Sequence, residues 1–461
     1  MKLTKSEMEH ILMQAKSTGA DFSEIFFEDR SDTIIKNKNR SIQGITSLHI
    51  YGAGIYVLKG TASVYVYSND TSYGGLMELA KRAASLIPYA EQEKGQSIVF
   101  TPQKITKPNP VEVYPGTVSA KEKIRIVKEM EQASYSAGPK VLGMNVEYYD
   151  NVQNILVVNS EGLYTEDQRV FSRVRLSGAV GWREKSNFEF NDFARPQGFE
   201  AFRESDYIGF AKENICQMEE RMKGRSIKSC QMPVVFEGGD CGVFWHESCG
   251  HNLESTVADS GIFAGKLGQQ IASSKVTLVD DGSMTGMYGS EAMDDEGHPT
   301  QKNILIENGI MKGYLCDRKG GRILGCGSNG SGRRQSYTYA PCARMHNTYL
   351  APGEDEETEM ISSLENGLFV TKIGGGSSGA NFSIEVKDGF LIQHGKITDR
   401  VSGINLSGIS TEIIKRVDRV GKILVPEIGG SFCGAASGLV PTTAFQPRFR
   451  VSAMNVGGTE L

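Results

Sequence analysis

Two histidines five residues apart constrain the middle of this chain more than any other feature. His246 and His251 bracket Glu247, Ser248, Cys249 and Gly250. On a regular helix of 3.6 residues per turn, side chains at i and i+4 diverge by about 40°, but those at i and i+5 diverge by about 140°. An undistorted α-helix therefore turns the two imidazoles apart. A π-bulge takes one extra residue into a turn and would realign them. Gly250 makes local distortion cheap. The spacing predicts a helix over residues 240–255 that is kinked or π-wound around Gly250. In a regular helix, the two histidines would instead be separate structural residues.

Two imidazoles beside a carboxylate are the equipment of metal-dependent hydrolysis. Neutral imidazoles hold a Zn ion, an open position takes water, and the metal lowers that water's pKa to about 7. Glu247, next to the first histidine, is placed to take the water's proton and pass it to a leaving amine. A third ligand must come from elsewhere. His10, His49, His298, His346 and His394 lie in polar, loop-like or strand-like stretches. Cys433 sits in Gly429-Gly430-Ser431-Phe432-Cys433-Gly434, where a glycine-lined turn can bring a thiolate close to a metal. The same residue also fits a buried, inert thiol. Cys249, inside the motif, reads as a small packed side chain or as a competing ligand.

The chain has 461 residues, enough for two or three domains. Its net charge of −5 leaves no electrostatic footprint for nucleic acid. No apolar run approaches the roughly 20 residues that span a bilayer, and the opening MKLTKSEMEHILMQAKS is charged and helical, unlike a signal peptide. Eight scattered cysteines without a CxxC pair read as reduced thiols, which points to a cytoplasmic location.

The periodicity predicts an α+β fold. A helix over 4–18 carries Met8, Ile11, Leu12 and Ala15 on one face, strands fill 20–69, and a second helix spans 76–89. Pro102, Pro108, Pro110 and Pro115 mark an extended connector. A helix over 119–137, a strand meander and a helix over 206–223 follow. A strand at 232–239 leads into the motif helix, and glycine-rich strand and loop make up the rest. We divide the chain into an N-terminal α/β region of mixed strands and helices (1–100), a connector (101–116), and a middle helix and meander (117–228). Residues 229–461 form a mostly antiparallel β domain carrying the motif helix.

Other motifs fail on context. Gly325-Cys326-Gly327-Ser328-Asn329-Gly330 fits G-x-G-x-x-G, but no helix is expected after it. Gly375-Gly376-Ser377-Ser378-Gly379 fits the nucleophile elbow, yet a strand follows. Arg333 and Arg334 read as a clamp for a peptide carboxylate or as a solvated or salt-bridged pair. Asp294-Asp295-Glu296 reads as a solvated acidic turn, or as support for a ligand histidine. Tyr337 and His346 are candidates for stabilising an oxyanion.

The segments HESCGHNLES, FAGKLGQQIAS, VTLVDDGS, DDEG (294–297), ILIENGIMKGYL (304–315), NGSGRRQSY (329–337), ARMHNTYLAPG (343–353) and GGSFCG…QPRFRVSAMNVGGTEL occur in this order. Together they resemble the TldD/PmbA family of peptidases, and specifically the TldD-type subunit that keeps H-E-x-x-x-H. The resemblance covers most of residues 230–461. It implies His246, His251 and Cys433 as Zn ligands and Glu247 as the base. It also implies an extended peptide substrate in an enclosed site, and a homodimer or a heterodimer with a motif-less PmbA-type paralogue. Glu254-Ser255-Thr256 departs from the family's usual Glu-Gly-Asp run, and Ala435-Ala436 replaces a common Lys-Asp. Two readings follow: a Zn-dependent peptidase acting on flexible peptides, or a non-catalytic peptide-binding or scaffolding subunit whose motif is structural. A third, modulation of a DNA-processing enzyme, follows from an older name for the family. The acidic balance argues against direct DNA contact.

Overall fold

The structure is a computed structural model that describes residues 3–88, 97–138, 140–182, 185–377, 379–427 and 429–458. Helix α1 (Lys5–Ala15) begins at a capping box, in which Thr4 accepts from the Glu7 N–H and Glu7 accepts from the Thr4 N–H. Three long antiparallel strands follow: β1 (Phe22–Lys38), β2 (Ser41–Lys59) and β3 (Ala62–Ser68). Helix α2 (Tyr73–Leu86) is capped by Ser72; of the helix expected over 76–89, Tyr89 lies outside the described residues. β4 (Thr101–Pro102) is a short parallel addition, and α3 (Ala120–Ala137) starts at the Ser119 cap. The meander is β5 (Val141–Asn159), β6 (Leu163–Trp182) and β7 (Lys185–Arg195), followed by α4 (Ala201–Glu204) and α5 (Tyr207–Arg221).

These seven strands form one sheet, because β1 pairs with β5 over most of its length, from Glu24↔Asn159 to Lys38↔Asn145. The boundary read between 1–100 and 117–228 therefore does not separate two sheets. The proline-rich stretch between them is pinned and not free: Asn109 and Gln103 bond to backbone at Ser290 and Gly297 in the C-terminal part.

Strand alternation decides what this sheet does. Ile25 and Phe27 turn toward α1 and α2, packing on Ile11, Leu12, Leu76 and Ala80. Farther along, Ile35 joins Tyr148 and Val174 under Ile126 and Met130 of α3 and Ile215 of α5. Each such side chain contributes about 1.5–3 kcal/mol when fully buried. The intervening residues face the C-terminal part. Glu24 meets Arg334 at 2.8 Å, Phe26 packs on Met293, and Glu28 accepts from the Tyr337 N–H.

The C-terminal part is built on β8 (Cys230–Phe236), which pairs in parallel with Asn366–Ser377 and antiparallel with Phe449–Gly458. The strands Ile404–Ile409 and Asn381–Gln393 continue the order, and Asn381–Gln393 returns to pair with Asn366–Ser377. The sheet thus closes into a barrel, which leaves the closed strands no free edge. Phe236 and Phe449 stack at 4.7 Å inside it, with Phe244 and Trp245 against them. A second sheet carries the hairpin Ser431–Ala435/Gly438–Phe445. Helices and mostly antiparallel strands give the α+β fold expected from the sequence.

Candidate metal centre

After β8 the chain winds through a 3-10 turn (Gly239–Gly242), one α-turn (Val243–Trp245), a π-turn (His246–Gly250) and a 3-10 turn (His251–Leu253). The His251 N–H donates to the His246 carbonyl, the i to i+5 bond of a π-helix. That bond brings the two histidines onto one face, the rings edge-on with centres 4.8 Å apart. The expected distortion is present, but Gly250 serves it differently. Its φ −53° and ψ −57° are ordinary helical values open to any residue. Glycine is needed because a Cβ there would lie 2.1 Å from Met345 Sδ. Gly242 similarly lets the motif lie directly on the hairpin, where a Cβ would meet the Phe445 N at 2.2 Å.

That hairpin presents Cys433. Its Sγ lies 3.2 Å from His246 Nε2 and 3.2 Å from His251 Nε2. The three ligand atoms all fall within 4.8 Å of one another. Tetrahedral zinc with Zn–N near 2.0–2.1 Å and Zn–S near 2.3 Å sets N···S at about 3.5 Å, so this donor set fits the ion. Burial alone would raise the Cys433 thiol; hydrogen bonds and charge from the two histidines reverse this and hold it at about 4. Burial would lower the His251 imidazole, but Cys433 and Glu254 raise it to about 10.

Glu254 and Arg344 complete the centre, and sequence reading gave neither a role. A Glu254 carboxylate oxygen lies 3.3 Å from His251 Nδ1, which fixes the ring and turns Nε2 to Cys433. Arg344 donates to the carbonyls of Cys433 and Gly438 and to the Ser437 hydroxyl, and its Nε lies 3.8 Å from Glu254. Arg344 lies in the segment ARMHNTYLAPG (343–353), so its presence was visible but its contacts were not.

Glu247 is half-buried and faces the same cleft. Burial raises its carboxyl, against the opposing charge of His246 and His251. The cleft holds about 670 Å³ between β7, through Phe190, and the barrel strand that bears Lys372 and Gly376. Cys249 is fully buried away from it, its thiol raised to about 12 by burial.

The remaining candidates lie elsewhere. Arg333 and Arg334 are buried and committed, Arg333 to Glu291 and the Met345 and Pro441 carbonyls, Arg334 to Glu24 and the Asp295 carbonyl. They form internal ion pairs, not a substrate clamp. Asp294, Asp295 and Glu296 are likewise interior: they accept from the N–H groups of Gly332, Arg334 and Arg318, and Asp295 from the Arg169 side chain. They are neither a solvated turn nor a support for a ligand histidine. Tyr337 stands against Tyr67, and His346 is buried between Asp280 and Glu291; neither lines the cleft. The G-x-G-x-x-G stretch follows a helix (Arg318–Leu324) and precedes the strand Gly332–Arg333. Of the G-x-S-x-G stretch, Gly375–Ser377 ends a strand, and Ser378 lies outside the described residues.

Two imidazoles and a thiolate converging beside a half-buried glutamate in an open cleft are the equipment of metal-dependent hydrolases. The sequence agrees with that class along nearly its whole length. Residues 23–87, 114–218 and 229–458 match the family models for PmbA/TldA metallopeptidase domain 1, central domain and C-terminal domain. The chain belongs to the PmbA/TldD metallopeptidase family. A "Metalloprotease TldD homolog" of Haemophilus influenzae is 28% identical, over 95% of this chain and 93% of that protein. A "Zinc metalloprotease TldD homolog" of Saccharolobus solfataricus is 26% identical, over 73% of this chain and 76% of that protein. The crystal structure of TldE from Thermococcus kodakarensis shares the fold, with a TM-score of 0.71 at 18% identity, over 98% of this chain and 100% of that one.

Proposed function

We propose that this chain is a zinc-dependent peptidase that hydrolyses amide bonds in extended, flexible peptides. The observation that carries this reading is the convergence of His246 Nε2, His251 Nε2 and Cys433 Sγ at 3.2 Å contacts beside the Glu247 carboxylate. The word zinc in the name of one relative supports the choice of metal. A thiolate also favours zinc over magnesium or calcium, which prefer oxygen shells. Zinc held by these three residues supplies Lewis-acid chemistry, acidifying water and polarising a carbonyl. Glu247 accepts the proton of the attacking water on a carboxylate oxygen and delivers it to the departing amine nitrogen. Its raised proton affinity in the half-buried cleft suits both halves of that task. Glu254 and Arg344 keep the ligands in register and do not line the cleft.

The reading extends to a cytoplasmic protein working as a homodimer, or as a heterodimer with a motif-less PmbA-type paralogue. All eight cysteines are free, as a reducing compartment keeps them. Among the described residues no helix is long and apolar enough to cross a membrane. The test is metal content and peptide turnover of the purified full-length protein, alone and mixed with such a paralogue. Stoichiometric zinc, turnover abolished by chelator, and a zinc-replete but inactive Glu247→Gln variant are expected. Zinc-free protein that binds peptides without cleaving them would favour a scaffolding subunit instead.

A further inference from the structure

A second space adjoins the metal cleft at Phe432, and the hydrolytic residues do not use its chemistry. This cavity holds about 500 Å³ and is walled by β1, β5 and β6 on one side and by the Cys433 hairpin on the other. Phe190, Ser431 and Phe432 line both spaces. Successive side chains on a strand point to opposite faces. The strand that turns Cys433 toward the histidines therefore turns Phe432 toward this second cavity. Phe432 is held there edge-on against Tyr288, with ring centres 6.0 Å apart.

Five arginines and two glutamates line the cavity. Arg30, Arg169, Arg175 and Arg334 each lie within 3.2 Å of a carboxylate oxygen. Arg173 does not. Its one ion-pair partner among the described residues is Asp192, at 3.9 Å, and Arg175 already occupies both Asp192 oxygens at 2.8 and 2.7 Å. The Arg173 side chain is 12% exposed, and its Nε is buried with no hydrogen-bond partner. The guanidinium lies 5.0 Å from the Phe432 ring centre and 5.9 Å from that of Tyr149, which leaves its edge to the cavity. A largely buried guanidinium whose Nε–H lacks an acceptor is costly. Its planar fork matches a carboxylate, and flanking rings hold it ready for one.

We propose that Arg173 is a substrate-recognition residue that takes a carboxylate of the bound peptide, a few residues along the chain from the bond that is cleaved. The carboxylate is either the α-carboxylate of the peptide's C-terminus or an Asp or Glu side chain. This deepens the peptidase reading and rests on it.

The test uses zinc-loaded full-length protein carrying Glu247→Gln, which binds without turnover. Affinities are measured by fluorescence anisotropy for N-terminally labelled peptides in matched pairs: C-terminal acid against C-terminal amide, and internal Glu against Gln within the amide series. One pair should show a preference of roughly ten- to hundredfold for the charged member, the worth of a charge-assisted hydrogen bond shielded from water. Acid over amide assigns the site to the C-terminus; Glu over Gln assigns it to a side chain. Adding Arg173→Gln should bring the ratio to about one, and Arg173→Lys should retain only part of it. Each ratio is taken within one protein, so a partly folded variant does not mimic the result. Ratios near one in the parent, or a preference that survives Arg173→Gln, overturn the assignment. A carboxylate preference in a protein whose Glu247 form cleaves nothing overturns the peptidase reading alone.

Discussion

Arg344 donates to the Cys433 carbonyl at 2.6 Å while its Nε lies 3.8 Å from the Glu254 carboxylate. One fully buried guanidinium thereby couples the hairpin that presents the thiolate to the carboxylate that orients His251. The motif segment supplies one support and the hairpin the other, and Arg344 links them.

Removing that coupling should loosen the cluster without removing a ligand. Arg344→Met is expected to lower zinc affinity by roughly 10- to 100-fold, the usual effect of losing a group that orients a ligand. Arg344→Lys should recover only part, since an ammonium cannot reproduce the fork. Competition with a chromogenic chelator measures this. Wild-type affinity in a merely less stable Arg344→Met protein would make Arg344 a folding residue only.

The two cysteines near the histidines should part company. Cys433→Ser is expected to purify without zinc, whereas Cys249→Ser should keep about one ion per chain. Cys249 is fully buried beside the Ser248 hydroxyl, so its replacement costs only about 1–3 kcal/mol for burying a polar group. Zinc retained in Cys433→Ser would remove the thiolate from the ligand set.

Protons should track the metal. In metal-free protein Cys433 titrates at about 4 and His251 at about 10, so at neutral pH the pair is thiolate and imidazolium. Zinc requires the neutral imidazole, so its binding near pH 7 should release about one proton, from His251. Calorimetry in buffers of different ionisation enthalpy counts it; about two protons would mean that a second ligand is protonated as well. The pair also stabilises the metal-free fold. The lowered Cys433 value adds stability that is complete above 9.0 and is lost as pH falls toward about 4. The raised His251 value adds stability that is complete below 6.5 and is lost as pH rises toward about 10. The two shifts describe one pair, so its contribution should be level between 6.5 and 9.0 and decline on either side. Melts of metal-free wild type against Cys433→Ser across that range check this.

What was legible in the sequence was local. The i, i+5 histidine spacing predicted a kinked or π-wound helix, because a regular helix turns the two rings about 140° apart. The α1 and α3 helices were legible from their apolar spacing, and their Thr4 and Ser119 caps agree with it. What was hidden depends on distant pairing. Asp294, Asp295 and Glu296 look like a solvated acidic run one residue at a time. They are interior because Arg169 from β6, together with Arg318 and Arg334, meets them at the seam between the first sheet and the C-terminal part. Arg173 likewise has no signature of its own. Its character comes from Arg175 two residues on, which takes Asp192, and from Phe432, more than 250 residues away.

Gly250 offers a test of why a glycine stands inside the motif. If backbone freedom were the reason, any side chain would strain the π-turn. The observed φ −53° and ψ −57° carry no such strain, and at such a position alanine ordinarily stabilises by about 0.4–1 kcal/mol. The obstacle is instead the Met345 thioether, 2.1 Å from where a Cβ would sit and 1% exposed within the barrel-side core. Gly250→Ala should therefore cost about 1–3 kcal/mol through overpacking, read by denaturant unfolding of the metal-free protein. Met345→Ala should itself cost about 2–5 kcal/mol through the cavity it leaves. In that background the Gly250→Ala penalty should vanish, because the new methyl enters vacated space. A penalty that persists beside Met345→Ala would return the explanation to the backbone. A penalty absent from both backgrounds would mean that Met345 moves aside at no cost, and that the close contact does not decide the residue at 250.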